Sequence, residues 1–174
     1  MNAKRIAIAL VTGIVCSAAF AQDSTDFALN DGRIRFRVPA TWTAVMEKTG
    51  GNPQAIAFQA PDPSAQGSDD TANVTVKTRV LANDAQFPIV VHEEFNHAKE
   101  QPGYESAGAE TTTSAHRYRV TRGKTRYFVQ DSFLLKDGLA VEVRCQRPLL
   151  DATPESWSQR FDADCAAVVA SLQP

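Results

Sequence analysis

The sequence has few cysteines and lacks the short motifs of the commonest catalytic sites. It contains 3 cysteines in 174 residues, no serine in a G-x-S-x-G turn, and no glycine-rich loop of the kind that holds a phosphate group. Beyond its N-terminal segment, no apolar run reaches the roughly twenty residues that a transmembrane helix needs. A serine hydrolase, a nucleotide-dependent enzyme and a membrane-inserted protein therefore have no support.

The histidines do not have the spacing of a metal site. His92 and His97 lie five residues apart on an expected helix, whereas two zinc ligands on a helix must lie four apart to share a face. Glu93 and His97 share a face, but they belong to the solvated side of that helix. We therefore expect no metal, no cofactor and no catalytic residues, and we disfavour an enzymatic function.

The N-terminal segment predicts export. Lys4 and Arg5 precede an apolar run, and Ala19-Phe20-Ala21 forms a cleavage site of the small-x-small type. We predict a signal peptide at residues 1–21 and a single globular domain at residues 22–174. The mature domain should then be periplasmic or secreted.

A lipid anchor on Cys16 is the alternative to cleavage. Bulky Val15 disfavours it, because such processing sites need a small residue at that position. Loss of Lys4 and Arg5 with the signal lowers the 18 basic residues by two against 20 acidic ones, so the mature domain is acidic. This charge gives no general attraction to nucleic acid or to a membrane, and we expect neither as a partner.

The two remaining cysteines predict one disulfide. Cys145 and Cys165 would meet in an oxidising compartment, and both lie on apolar faces of their elements. A redox-active pair is the alternative, but it usually has C-x-x-C spacing. The bridge would join a C-terminal helix to the end of a strand.

Alternation of apolar and polar residues predicts a mainly β chain with two helices. Strands are expected at residues 27–38 with a turn at Asp31-Gly32, and at 54–60, 72–81, 104–121, 125–135 and 139–145. One helix is expected from a cap at Asp84 to a stop at Pro102-Gly103, and a second from Thr153 to Leu172. A two-residue loop at Asp137-Gly138 would pair Leu134 with Val141, whereas a loop beginning at Lys136 would change the register.

A basic segment is the candidate binding site. Its residues are Arg117, Arg119, Arg122, Lys124 and Arg126. If Arg122-Gly123 forms a two-residue loop, Arg119 faces Arg126, and such a like-charge pair is destabilising. An acidic partner would compensate for it, an acid such as Glu142 on a neighbouring strand would serve equally, and basic edges also protect a sheet from aggregation.

The order of elements carries a family resemblance. With Pro39-Ala-Thr-Trp42 after the first hairpin, Pro102-Gly103-Tyr104 after the first helix and Val168-Val-Ala-Ser-Leu172 at the end, residues 26–173 resemble the PsbP-like superfamily. The similarity is to its small bacterial periplasmic, DcrB-related members. The resemblance implies an α+β fold, an antiparallel sheet flanked by helices in an α/β/α sandwich, and a mostly non-catalytic accessory role.

These observations favour an exported, non-catalytic binding or assembly protein of the cell envelope. We expect it to contact a protein partner through the basic segment and the polar loop at residues 61–70. An immunity-type inhibitor of a periplasm-acting toxin is one specific form of this function. The rival is a small periplasmic hydrolase or ligand carrier, which would need a deep pocket lined by convergent polar groups.

Overall fold

A computed structural model describes residues 23–65, 70–108 and 114–172. The predicted signal peptide and residues 66–69 of the predicted contact loop lie outside this part of the chain. The strands are β1 (Ser24–Leu29), β2 (Ile34–Pro39), β3 (Thr43–Lys48), β4 (Gln54–Ala60), β5 (Ala72–Val80), β6 (Glu105–Ser106), β7 (Ala115–Arg122), β8 (Thr125–Lys136) and β9 (Leu139–Pro148). The helices are α1 (Phe87–Lys99) and α2 (Glu155–Leu172), with 3-10 turns at Pro63–Ala65 and Asp84–Gln86.

The strands form one large antiparallel sheet and one separate hairpin. The large sheet has seven strands in the order β3-β4-β5-β9-β8-β7-β6, while β1 pairs with β2 alone. Helix α1 covers one face of the large sheet, and α2 together with the β1–β2 hairpin covers the other. The predicted α+β class, with an antiparallel sheet flanked by helices, is confirmed.

The face under α2 is apolar, as the alternation of the strands predicts. Val74 on β5 and Val143 on β9 are fully buried there, and Phe36 of the hairpin packs edge-on against Phe58 at 6.1 Å between ring centroids. The stripe on α2 closes this core through four buried residues, Phe161, Cys165, Val168 and Leu172. Burial of one such side chain stabilises the fold by about 1.5–3 kcal/mol, so this layer carries most of the hydrophobic stabilisation.

The predicted disulfide is present between Cys145 on β9 and Cys165 on α2. Both residues are buried, and they are separated by 20 positions in the sequence. The bond fastens α2 to the middle of the sheet. Among the described residues, no helix is long and apolar enough to cross a membrane.

The start of α1 and the strand β3 differ from the sequence-based expectations for identifiable reasons. Asp84 does not cap α1, because the chain first makes a 3-10 turn at Asp84–Gln86 and Gln86 occupies the N-cap position. The proline at residue 88 in the first turn of α1 is compatible with this start, since the first turn needs no backbone donor there. The edge strand β3 was not expected, because all six of its side chains are exposed and no buried alternation marks it.

Of the two hairpins that β8 forms, the one with β9 has the predicted register and the one with β7 does not. Asp137 and Gly138 both have positive φ, as a two-residue loop of type I′ requires, and Leu134 pairs with Val141 as predicted. The loop between β7 and β8 is not Arg122-Gly123, because Arg122 pairs with Thr125. The turn is therefore Gly123-Lys124, with the glycine in its first position at φ +60°.

Candidate functional site

The corrected register divides the basic segment between the two faces of the sheet. Arg119 faces Phe128 rather than Arg126, so the predicted like-charge pair does not form. The side chains that share the face of α2 are Arg117, Arg119 and Arg126, because they alternate in register with Gln130 and Cys145. The Arg122 guanidinium lies on the opposite face, 5.3 Å from the ring centroid of Tyr127, and Lys124 lies in the turn.

We call Arg117, Arg119 and Arg126 the basic face. Arg126 forms an ion pair with Glu105 on β6 at 2.7 Å. The Arg126 side chain is 50% exposed and the Glu105 side chain is 58% exposed. Glu105 is also the cross-strand neighbour of Arg119. An acid on a neighbouring strand does pair with the segment, but it is Glu105, which binds Arg126; Glu142 is instead paired with Lys77 and Arg144 on the other face.

The basic face continues towards α2 through Phe128 and Arg147. The Arg147 guanidinium lies 5.1 Å from the Phe128 ring centroid, which is a cation–π distance. Arg147 also binds Asp162 on α2 through two hydrogen bonds, with Nε to Oδ1 at 3.0 Å and the second at 3.2 Å. The side chains of α2 thus meet the basic face at Arg147, and Arg117 and Arg126 beyond this point stay exposed.

The described ends of the polar loop attach to the same end of the sheet. Asp70 accepts hydrogen bonds from the Thr125 hydroxyl and the Tyr127 phenol, both at 2.9 Å. Burial, followed by the hydrogen bond to Asp70, raises the pKa of Tyr127 to about 12. At the start of the loop, the Trp157 indole N–H donates to the Pro61 carbonyl at 2.9 Å. The two described ends of the loop therefore lie near the tip of the β7–β8 hairpin, at Asp70, and near the N-terminal part of α2, at Pro61.

A second polar cluster, which the sequence analysis missed, lies under α1. Arg144 on β9 donates two hydrogen bonds to Asp131 on β8, with Nε to Oδ1 at 2.8 Å and the second to Oδ2 at 3.2 Å. The Tyr118 phenol donates to the same carboxylate at 3.1 Å. Asp131 is fully buried, so three donated hydrogen bonds stabilise a carboxylate away from water. Burial, with the Asp131 charge, raises the pKa of Tyr118.

Lys77 joins this cluster to α1. Its Nζ lies 2.7 Å from Glu94 on the helix and 2.5 Å from Glu142 on β9. Burial raises the pKa of Glu142, although the charges of Arg144 and Lys77 oppose this effect. Burial acts to lower the pKa of Lys77, but its two carboxylate partners outweigh burial and the pKa is raised. Helix α1 is thus held to the sheet partly by ion pairs.

Aromatic rings complete the layer under α1. The Phe95 ring of the helix lies 4.4 Å from the His116 ring and 5.7 Å from the Phe133 ring, between centroids. The Tyr104 hydroxyl shares a hydrogen bond with His116 Nε2 at 2.9 Å. Glu93 and His97, the weak metal candidates, are both exposed on α1, and Glu93 lies 3.4 Å from Arg79.

A cavity of about 270 Å³ opens beside this cluster. Charged side chains line part of it, namely Lys77, Arg79, Glu94 and Glu142. The other lining residues are the polar Asn52 and the apolar Pro53, Val90, Phe133 and Ala140. The cavity lies on the α1 side of the sheet, whereas the basic face lies on the α2 side.

Comparisons with known proteins do not assign the chain to a family. No family model matches the chain, and no curated protein sequence matches it. Among solved structures, the chain is similar to LpqN, described as involved in cell envelope biogenesis of Mycobacterium tuberculosis, with 14% identity, a TM-score of 0.46, and coverage of 84% of this chain and 87% of that chain. It is also similar to the Saccharomyces cerevisiae Ran-binding protein Mog1p, with 12% identity, a TM-score of 0.49, and coverage of 87% and 93%. Likeness at this level carries no information on function.

Proposed function

We propose that this chain is an exported, non-catalytic binding or assembly accessory protein of the cell envelope, and that its basic face contacts an acidic protein partner. The observation that carries the proposal is the position of Arg117, Arg119 and Arg126 on a sheet face that α2 covers only in part. Arg126 pairs with Glu105, Arg117 donates to the uncharged Gln130 at 3.1 Å, and Arg119 lies opposite Glu105 in the strand register, so within the described residues the basic face has more positive than negative charge. The resemblance to the PsbP-like superfamily favours the same class of function.

The chemistry of the basic face indicates which groups the partner presents. Arginine binds carboxylates through two parallel hydrogen bonds, which gives both affinity and orientation. The half-buried Phe128 ring lies between the arginines of this face, in cross-strand register with Arg119. A partner that presents Asp or Glu side chains beside an apolar residue would match this arrangement. An immunity-type inhibitor of a periplasm-acting toxin is the specific form that we favour, and it predicts a toxin gene adjacent to the gene for this chain.

Charge reversal with a matched control tests the proposal. The immobilised chain is incubated with periplasmic extract, and the retained protein is identified, purified and titrated against the chain by calorimetry. Arg117→Glu, Arg119→Glu and Arg126→Glu together should weaken the one-to-one complex by more than about tenfold and reduce its dependence on salt. The control changes Arg35, Arg37 and Arg160 to glutamate, which alters net charge equally at exposed positions elsewhere. Equal affinity of the two triple variants would reject the basic face.

The rival function, a ligand carrier or small hydrolase, has one specific observation in its favour. The cavity under α1 is lined by convergent charged groups, as that function requires. Its described lining residues offer charged groups, the amide of Asn52 and apolar surface, with no serine, cysteine, threonine or histidine as a nucleophile. This lining favours the carrier form of the rival over the hydrolase form.

A further inference from the structure

The cavity under α1 combines charges of both signs with an apolar wall. Lys77 on β5 lies opposite Glu142 on β9, and two residues further along β5 Arg79 lies opposite Ala140. A strand rises about 3.4 Å per residue, so these two rows are about 7 Å apart along the sheet. The cavity therefore has an inner end near Lys77 and Glu142 and an outer end near Arg79.

The inner end has three carboxyl groups and two cationic groups, so its charge is negative when Glu142 is ionised. Its cations are Lys77 and Arg144, and its carboxylates are Glu94, Asp131 and Glu142. Arg144 binds Asp131 at two points and also lies 3.0 Å from Glu142, while Lys77 is the closest cation to both Glu94 and Glu142, so two cations are shared among three carboxyl groups. Glu142 is only 5% exposed, so water compensates little for this imbalance. A ligand that brings a positive group would correct it.

The outer end is positive. Arg79 is half exposed, and its contact with Glu93 at 3.4 Å is long, with an exposed carboxylate. Such a surface pair is weak, so Arg79 can exchange it for a ligand anion at little cost. Between the two ends, Val90, Phe133 and Ala140 supply an apolar wall.

We propose that this cavity binds a small zwitterionic amino acid with an apolar side chain. Its ammonium group contacts Glu94 and Glu142, its carboxylate contacts Arg79, and its side chain packs against Phe133 and Val90. The volume of about 270 Å³ lies just below the range typical of sites for drug-sized ligands, which suits a ligand of this size. This site is separate from the basic face and does not depend on the function proposed for it.

Three probes of nearly the same shape test the two charged ends. They are L-leucine, L-leucinamide, which lacks the carboxylate, and isocaproate, which lacks the ammonium group. Calorimetry and amide NMR shifts should show leucine binding at Ala140 and Phe133, with each of the other two weaker by about tenfold or more. Absence of leucine shifts at these residues, or equal binding of either truncated probe, would overturn the proposal.

Two variants then locate the binding within the cavity. Arg79→Gln should weaken leucine binding by about tenfold and leave leucinamide binding unchanged, because only leucine carries the carboxylate. Arg35→Gln, at an exposed position on the hairpin, is the matched control and should change neither. Ala140→Leu should fill the cavity and abolish binding of leucine while a cooperative thermal transition persists. Leucine affinity unchanged in Arg79→Gln, or in a folded Ala140→Leu, contradicts the assignment.

Discussion

Arg144 and Asp131 form a two-point ion pair across β9 and β8 at 2.8 and 3.2 Å, with the carboxylate fully buried. A second pair, Arg147 with Asp162, has nearly the same geometry at 3.0 and 3.2 Å, but its carboxylate is 40% exposed. The two pairs differ in burial and in their further partners, since Asp131 also accepts from Tyr118 at 3.1 Å and Arg144 also contacts Glu142 at 3.0 Å. The chain thus offers an internal comparison of what an ion pair contributes in each environment.

Removal of the buried carboxylate should be costly. Asp131→Ala leaves the Arg144 guanidinium without its closest acceptor and removes the acceptor of the Tyr118 phenol, so we expect the free energy of unfolding to fall by about 3–5 kcal/mol. Asp162→Ala, the matched control, should cost about 1 kcal/mol or less. Urea denaturation of both variants measures the difference. Equal losses in the two variants would show that burial does not set the contribution of the Asp131 pair.

Glu142 should make stability depend on pH. Because burial raises its pKa, the folded state retains the proton at pH values where the unfolded chain has released it. The contribution of Glu142 to the free energy of unfolding is therefore complete below its pKa in the unfolded chain, about 4.3, and is lost as the pH rises through its higher pKa in the folded state. The side chain in Glu142→Gln cannot titrate. The free energy of unfolding of the wild type minus that of Glu142→Gln should therefore be largest at the lowest pH measured and should fall as the pH rises.

Urea midpoints at a series of pH values, from about pH 4 to pH 8, measure this dependence. Glu47→Gln, at an exposed position on β3, is the control and should run parallel to the wild type. A difference between wild type and Glu142→Gln that stays constant over the whole range would contradict the expected role of Glu142.

Loss of the disulfide should weaken the attachment of α2. Replacement of both Cys145 and Cys165 by alanine removes a cross-link over 20 positions, and in the chain-entropy model this lowers the free energy of unfolding by about 3 kcal/mol. Urea denaturation measures the loss, and wild type under reducing conditions is the control for the two lost sulfur atoms. Mass spectrometry of the exported wild type should detect no free thiol. Two free thiols in that protein would refute the bridge in the exported form.

The apolar layer was predictable because local patterns determine it. The alternation through Val141 and Val143 and the stripe through Phe161 and Cys165 mark the faces that meet. The loop at Asp137-Gly138 was also predictable, since its two residues both suit positive φ. A single glycine between Arg122 and Lys124 does not specify its place in a turn, and this ambiguity led to the wrong register of the basic segment.

The charged layer under α1 was not predictable from the same patterns. Lys77, Asp131, Glu142 and Arg144 occupy alternate positions that would face water in a sheet with one covered face. Their pairing depends on the register of three strands and on the placement of α1, which is set by tertiary contacts. The same reason applies to the cavity, whose lining comes from segments far apart in the sequence.

The unequal chemistry of the two faces has a consequence for heating. As temperature rises, dehydration of charged groups becomes less costly, while hydrophobic stabilisation per unit area levels off. The ion pairs of Lys77, Glu94 and Arg144 should therefore contribute a larger share of the stability, relative to the apolar layer, when the protein is warmed. In relatives from warmer habitats, substitutions that improve the ion pairs under α1 would be more effective than larger side chains under α2.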